Sequence, residues 1–238
     1  MEEKKKSHKK LIIILVIAAV AAVLIIIFGV PYFQRHFIEV KITEADAIDT
    51  GRVELGTDRI LTVYFTRNGN SDFEEGVDAV SSASLMRDGD KLIGNCELAA
   101  EMIQHSVGGD IYAVKTEKRY PSSYGDTVSE ASREFDSGEL LALTGKLPDM
   151  SQYDKVFILY PLWWYKVPMA MQSFVSKIDL TGKDVYALVA HGGSGEAGSV
   201  AKLEELSGVT FKTPFYELYD KDAAYAKEDI TGWLEALG

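Results

Sequence analysis

One cysteine, Cys96, and four histidines (residues 8, 36, 105 and 191) are all that 238 residues offer a soft metal. A lone cysteine excludes an intrachain disulfide framework and a cysteine-based zinc or iron–sulfur site. The histidines lack H-x-x-x-H or any similar spacing, so no metal site is expected. Positive charge is also scarce: 25 Lys and Arg stand against 36 Asp and Glu, a net charge of −11. That balance argues against nucleic acid and against adhesion to an anionic bilayer surface. There is no internal repeat, no low-complexity segment and no separate dinucleotide-binding unit.

The chain does have one long apolar run. The head "MEEKKKSHKK" (1–10) carries five Lys and two Glu, or +3, which leaves −14 on residues 11–238. It is followed by "LIIILVIAAVAAVLIIIFGV" (11–30), with no charge. Such a run rises roughly 30 Å as a helix, enough to cross the hydrocarbon core. A cleaved signal peptide has a shorter apolar region, about 7–15 residues, and a small-residue cleavage site. Here Pro31, Tyr32 and Phe33 follow instead, so an uncleaved transmembrane anchor is expected. The positive-inside rule keeps the head cytoplasmic and places the C-terminal bulk outside, as a single-pass cell-membrane protein. Residues 31–58 read as a tether, spanning on the order of 30 Å if fully flexible.

Beyond residue 58 strands and helices alternate. "RILTVYF" (59–65), "DIYAVK" (110–115), "KVFILY" (155–160) and "DVYALVA" (184–190) are strands, with a weaker one inside "VTFKTPFYEL" (209–218). The third and fourth are continuously apolar, as strands buried on both faces should be. Helical patterns fall at 97–107, 127–135, 199–206 and 226–237, and Pro168 opens another at its first position. This is a doubly wound α/β domain with a mostly parallel sheet, 59–238. Residues 69–93 look like an inserted β-hairpin turning at "DGD" (88–90).

In open sheets of this class ligands bind beyond the carboxyl ends of the strands. Three loops lie there. The first, "TRNGN" (66–70), is suited to a phosphate, but no helix starts after it. The helix starts only after the insertion, so the phosphate loop is expected in two pieces: Thr66, Arg67 and Asn68, then Gly94, Asn95 and Cys96. The alternative is that "TRNGN" is a plain turn and Asn95 a plain N-cap. The second loop runs from Pro161 and Leu162 through Trp163, Trp164 and Tyr165 to Pro168. An indole face there can cover a planar ligand, although one of two adjacent Trp is expected to pack inward. The third loop, His191, Gly192, Gly193, Ser194 and Gly195, can present backbone N–H donors. No catalytic residue is assigned: His191 has no carboxylate or nucleophile in a recognisable motif beside it. The three loops together suit a flat mononucleotide.

From Arg59 onward the chain resembles the flavodoxin family, particularly its long bacterial flavodoxin-like branch. Thr66-Arg67-Asn68 with Gly94-Asn95-Cys96 match the family's phosphate motif in two pieces. Tyr160, Pro161, Trp163, Trp164 and Pro168 match its aromatic loop, and His191 to Gly195 its glycine-rich loop. "YPSSYGDTVSEASRE" (120–134) is similar to a further segment of that branch. The resemblance implies a five-stranded sheet in the order 2-1-3-4-5 and noncovalent FMN, with phosphate in the first loop and the ring between the other two. Two positions depart from the pattern. Cys96 replaces a phosphate-binding Thr and is a weaker donor. Tyr165 stands where relatives often have Gly, so a positive φ there costs roughly 1–2 kcal/mol.

The expected function is a membrane-anchored FMN electron carrier. Its redox partners would offer basic docking faces to an acidic domain, and would be extracytoplasmic or membrane flavoproteins or quinone. The alternatives are an FMN-dependent NAD(P)H or quinone/flavin reductase, and a non-redox binding or assembly protein with a decayed flavin site.

Overall fold

The computed structural model describes residues 14–25, 43–56, 59–76 and 84–238. The chain divides into two units, Met1–Ile38 and Glu39–Gly238. In the first, residues 14–24 are helical, and the large apolar side chains from Ile14 to Ile25 are at least half exposed. Among the described residues no helix is long and apolar enough to cross a membrane. Both ends of the expected span (11–13 and 26–30), the basic head, residues 31–42 and 57–58 of the tether, and 77–83 of the insertion lie outside the described residues.

The second unit is built on five parallel strands. They are β1 (Ile60–Tyr64), β4 (Asp110–Ala113), β5 (Lys155–Pro161), β6 (Asp184–His191) and β7 (Tyr216–Tyr219). Two further strands, β2 (Leu85–Asp88) and β3 (Lys91–Gly94), pair antiparallel in a separate hairpin. The main sheet runs β4-β1-β5-β6-β7. With the hairpin set aside, that is the 2-1-3-4-5 order implied by the resemblance. β5 and β6 form the middle, paired from Lys155–Asp184 to Pro161–Ala190. Every residue of these two strands except the first is buried, which explains why their sequences are unbroken apolar runs rather than alternating ones.

Side-chain alternation along the strands builds two cores. Phe157, Leu159, Leu188 and Ala190 face one side with helices α1 (Asn95–Val107) and α5 (Lys227–Glu235). Val156, Ile158, Val185 and Val189 face the other, with α3 (Met169–Val175) and α4 (Ser199–Ser207). Helix α2 (Tyr124–Ser137) adds Ala131 to the second core and is capped by Ser123, whose side chain accepts from the Asp126 N–H.

Among the element boundaries that differ from expectation, three stand out. Pro168 is the N-cap of α3, not its first residue; its extended ψ of 142° suits a proline that has no N–H to give. The weaker strand expected inside 209–218 is β7, which begins near the end of that range and runs one residue past it. Helix α1 begins at Asn95, two residues early, because Gly94 rather than Asn95 is its cap.

Phe157 is fully buried, stacked on Tyr186 (5.2 Å, 22°) and edge-on to Trp233 (5.7 Å, 76°). Phe157→Ala is expected to cost about 3–5 kcal/mol through lost burial and a residual cavity. The shift in the urea unfolding midpoint at unchanged slope measures it.

Candidate functional site

The carboxyl ends of β1, β5 and β6 deliver the three loops to one edge of the sheet. The first loop is brought together from its two halves. A Cβ on Gly94 would lie 2.1 Å from Thr66 Oγ1, so the backbone at 94 rests directly on the Thr66 side chain and only glycine fits. Thr66 Oγ1 donates to the Ser84 carbonyl (3.3 Å), and the Asn95 N–H donates to the same oxygen (2.9 Å). The insertion thus ends as a clamp on both halves.

Around this junction sits a carboxylate. Glu97 Oε2 accepts from the Gly94 N–H (2.9 Å) and from Asn68 Nδ2 (2.8 Å). Burial, then the charges of Glu97 and Glu101, push the Tyr64 phenol well up. Glu97 was not among the expected site residues. Its signal was the spacing of a carboxylate three residues after a helix cap, the carboxylate half of a capping box.

The other residues of the first loop turn away. Arg67 is 1 % exposed; its Nη2 donates to the carbonyls of Pro121, Ser122 and Ser123 (2.9–3.3 Å), and its guanidinium lies over Phe73. It anchors the loop to the start of α2. Cys96 is buried in the first core, and burial pushes its thiol far up. Asn95 is buried too: Nδ2 donates to the Asp220 carbonyl (3.3 Å), while Oδ1 has no hydrogen-bond partner among the described residues. Asn70, outside the expected set, is a structural bracket. It donates to the Thr66 and Val114 carbonyls and accepts from the Thr116 N–H.

In the second loop the two tryptophans diverge. Pro161 is the last residue of β5, and the Leu162 N–H donates to the Ala190 carbonyl (2.8 Å), tying this loop to the third. Trp163 is 8 % exposed. It stands edge-on to Phe65 (5.3 Å) and Tyr120 (5.1 Å), and its Nε1 donates to Ser84 Oγ (3.2 Å). It is interior cover. Trp163 and Lys166 exchange both backbone hydrogen bonds, so Trp164 and Tyr165 form a two-residue turn with φ of 51° and 61°. Turns of this kind favour Asn-Gly. Here two aromatics hold the left-handed region, 54 % and 70 % exposed, with Trp164 Nε1 on the Val128 carbonyl (3.1 Å). Tyr165 thus holds a positive φ despite its side chain.

The third loop is folded on itself. His191 Nδ1 accepts from the N–H groups of Gly193 (3.0 Å) and Gly195 (3.3 Å), which requires that nitrogen to be unprotonated. Gly193 has φ of 119°. Gly195 holds φ 63°, and a Cβ there would displace the Glu217 carboxylate, 2.9 Å away. Gly192 is half-buried, and exposed Ser194 bonds only its neighbour's carbonyl.

A second buried acid lies under Trp163. The Tyr120 hydroxyl donates to Glu134 Oε2 (3.2 Å). Burial pushes the Glu134 carboxyl up to about 7, and the Glu130 charge adds to the rise. Glu101 is likewise raised to about 7 by burial and by Glu44 and Glu97. Among the described residues no group of side chains could hold a metal ion.

A doubly wound α/β domain with three ligand-type loops on one sheet edge defines a flavodoxin-like protein. The chain belongs to the flavodoxin family, whose model matches residues 91–237. Three solved structures share the fold. A candidate flavoprotein from Bacteroides eggerthii is 23 % identical, with TM-score 0.55, over 76 % of this chain and 98 % of its own. One from Bacteroides uniformis is 21 % identical, with TM-score 0.53, over 74 % and 97 %. A flavoprotein from Lactobacillus acidophilus, solved in complex with FMN, is 13 % identical, with TM-score 0.52, over 74 % and 99 %. No curated protein matches the chain.

Two outcomes are expected from this geometry. Tyr165→Gly relieves a left-handed residue at an exposed position and should raise stability by about 1 kcal/mol, read from the denaturation midpoint. The second concerns pH. Glu101 and Glu134 titrate near 7 folded against a usual 4.5, so the folded state binds more protons between those values. The stability they contribute is full below about pH 4.5 and lost as pH rises through 7. Glu134→Gln keeps a neutral acceptor for Tyr120, and its stability should fall less between pH 5 and 8 than that of the wild type.

Proposed function

We propose that the protein is an FMN-binding electron-transfer module tethered to the cell membrane through residues 11–30, with its head cytoplasmic and its domain outside. The observation that carries the cofactor reading is the anion already seated at the start of α1. A carboxylate held there by Gly94 and Asn68 stands where a phosphomonoester of a mononucleotide would go, so the donor set suits an anion. The flavoprotein from Lactobacillus acidophilus, of like fold, was solved with FMN.

FMN, when bound, supplies one- and two-electron transfer. The chain supplies the rest. Thr66, Asn68, Gly94 and Asn95 would hold the phosphate end, while Arg67 and Cys96 shape the loop from behind. Trp164, Tyr165 and His191–Gly195 would flank the ring, with Leu162 and Trp163 sealing its underside from water. The −14 charge of residues 11–238 would steer the domain to basic faces on extracytoplasmic or membrane flavoproteins, or on quinone-reducing partners.

A non-redox binding role is the second reading. It draws on Cys96, whose side chain is buried in the first core and offers a phosphate nothing. The test is an absorbance spectrum of the purified protein after FMN addition and desalting. Flavin bands near 1:1 are the expected result; a colourless protein would remove the electron-transfer reading.

A further inference from the structure

We propose that Glu97 is a built-in competitor for the phosphate, an internal anion that sets how much the site gains from a phosphorylated flavin over an unphosphorylated one. This rests on the flavin reading of the site. The carboxylate bolts the two halves of the interrupted loop together. One oxygen takes the Gly94 N–H from the second half and the Asn68 amide from the first. These are the groups that a phosphate at the start of α1 would need.

An entering phosphomonoester carries about −1.5 to −2 charges at neutral pH. A helix N-terminus offers roughly half a positive charge, which one carboxylate already answers. The remaining donors are also spoken for. Asn95 N–H and Thr66 Oγ1 point to the Ser84 carbonyl, and Arg67 donates to the carbonyls of residues 121–123. Phosphate therefore binds only as Glu97 yields its donors and withdraws, against like-charge repulsion. The ring end has no such competitor. Flavin recognition then falls mainly on the ring, and discrimination between FMN and riboflavin is small in the wild type.

The test uses the full chain, with Kd for FMN and for riboflavin read by flavin fluorescence quenching, and unfolding midpoints measured in inorganic phosphate and in chloride. The wild type should favour FMN over riboflavin by less than about tenfold, and phosphate should leave its midpoint unchanged. Glu97→Gln keeps an acceptor without the charge. It should tighten FMN about tenfold or more, leave riboflavin within about twofold, and gain a phosphate-dependent rise in midpoint. Glu97→Asp, which retains the charge, should keep a small FMN preference. A wild type that prefers FMN about a thousandfold overturns the proposal without any variant. So does a Gln variant whose FMN-to-riboflavin ratio is unchanged. If neither protein binds either flavin, the flavin reading fails, and the phosphate response alone then upholds or overturns the role of Glu97.

Discussion

Nothing larger than a hydrogen fits on residue 94, and the rest of the site depends on that. An uninterrupted β1–α1 connection would place its phosphate loop by chain continuity. Here the connection is broken by an insertion that includes the β2–β3 hairpin, so tertiary contact must restore what sequence adjacency no longer provides. Gly94 lets the start of α1 rest on Thr66. That approach in turn lets one carboxylate, Glu97, reach donors on both sides of the break. A methyl group at 94 would separate the halves and leave Asn68 and the N–H at 94 without their shared acceptor.

Ser84 completes the junction. Its carbonyl takes Thr66 and Asn95, and its hydroxyl takes Trp163. Two of the three loops at this sheet edge are therefore fastened to one residue of the insertion, and the Leu162–Ala190 bond links the third. A segment that reads in the sequence as an interruption is the part that registers the loops. Arg67 and Asn70 do the same work from the β4 side, each joining the first loop to backbone carbonyls of later segments.

The sheet was legible because burial on both faces writes itself as unbroken apolar runs, and β5 and β6 read that way over nearly their whole length. The meeting of residues 66–68 with 94–96 was legible too, since "TRNGN" ends without a helix and "GNCE" begins one. What side chains do inside the site was harder to read. A buried Arg67 looks like a phosphate ligand in sequence, because nothing local reveals three carbonyls arriving from residues 121–123. Cys96 and Trp163 face inward for a comparable reason: rotation at a helix start or a two-residue turn is set by packing, not by residue type. Ser84 carries no local signal, and its role follows only from three distant partners meeting on it.

The two ends of the site are built on opposite energetic principles. At the Gly94 junction almost every polar group named has a protein partner, so that end is stiff, and a ligand there must exchange hydrogen bonds rather than add them. At the aromatic tip two non-glycine residues sit at positive φ, each holding roughly 1–2 kcal/mol of backbone strain, with their rings largely in solvent. Strain of this kind persists only where the surroundings impose it, and here the paired bonds of Trp163 and Lys166 and the seat of Trp163 on Ser84 do so. A planar ligand that covers Trp164 or Tyr165 would remove apolar surface from water without breaking any of those bonds. On the proposed flavin reading, the gain from binding is concentrated at the exposed tip, and the selectivity at the junction of Gly94, Asn68 and Glu97.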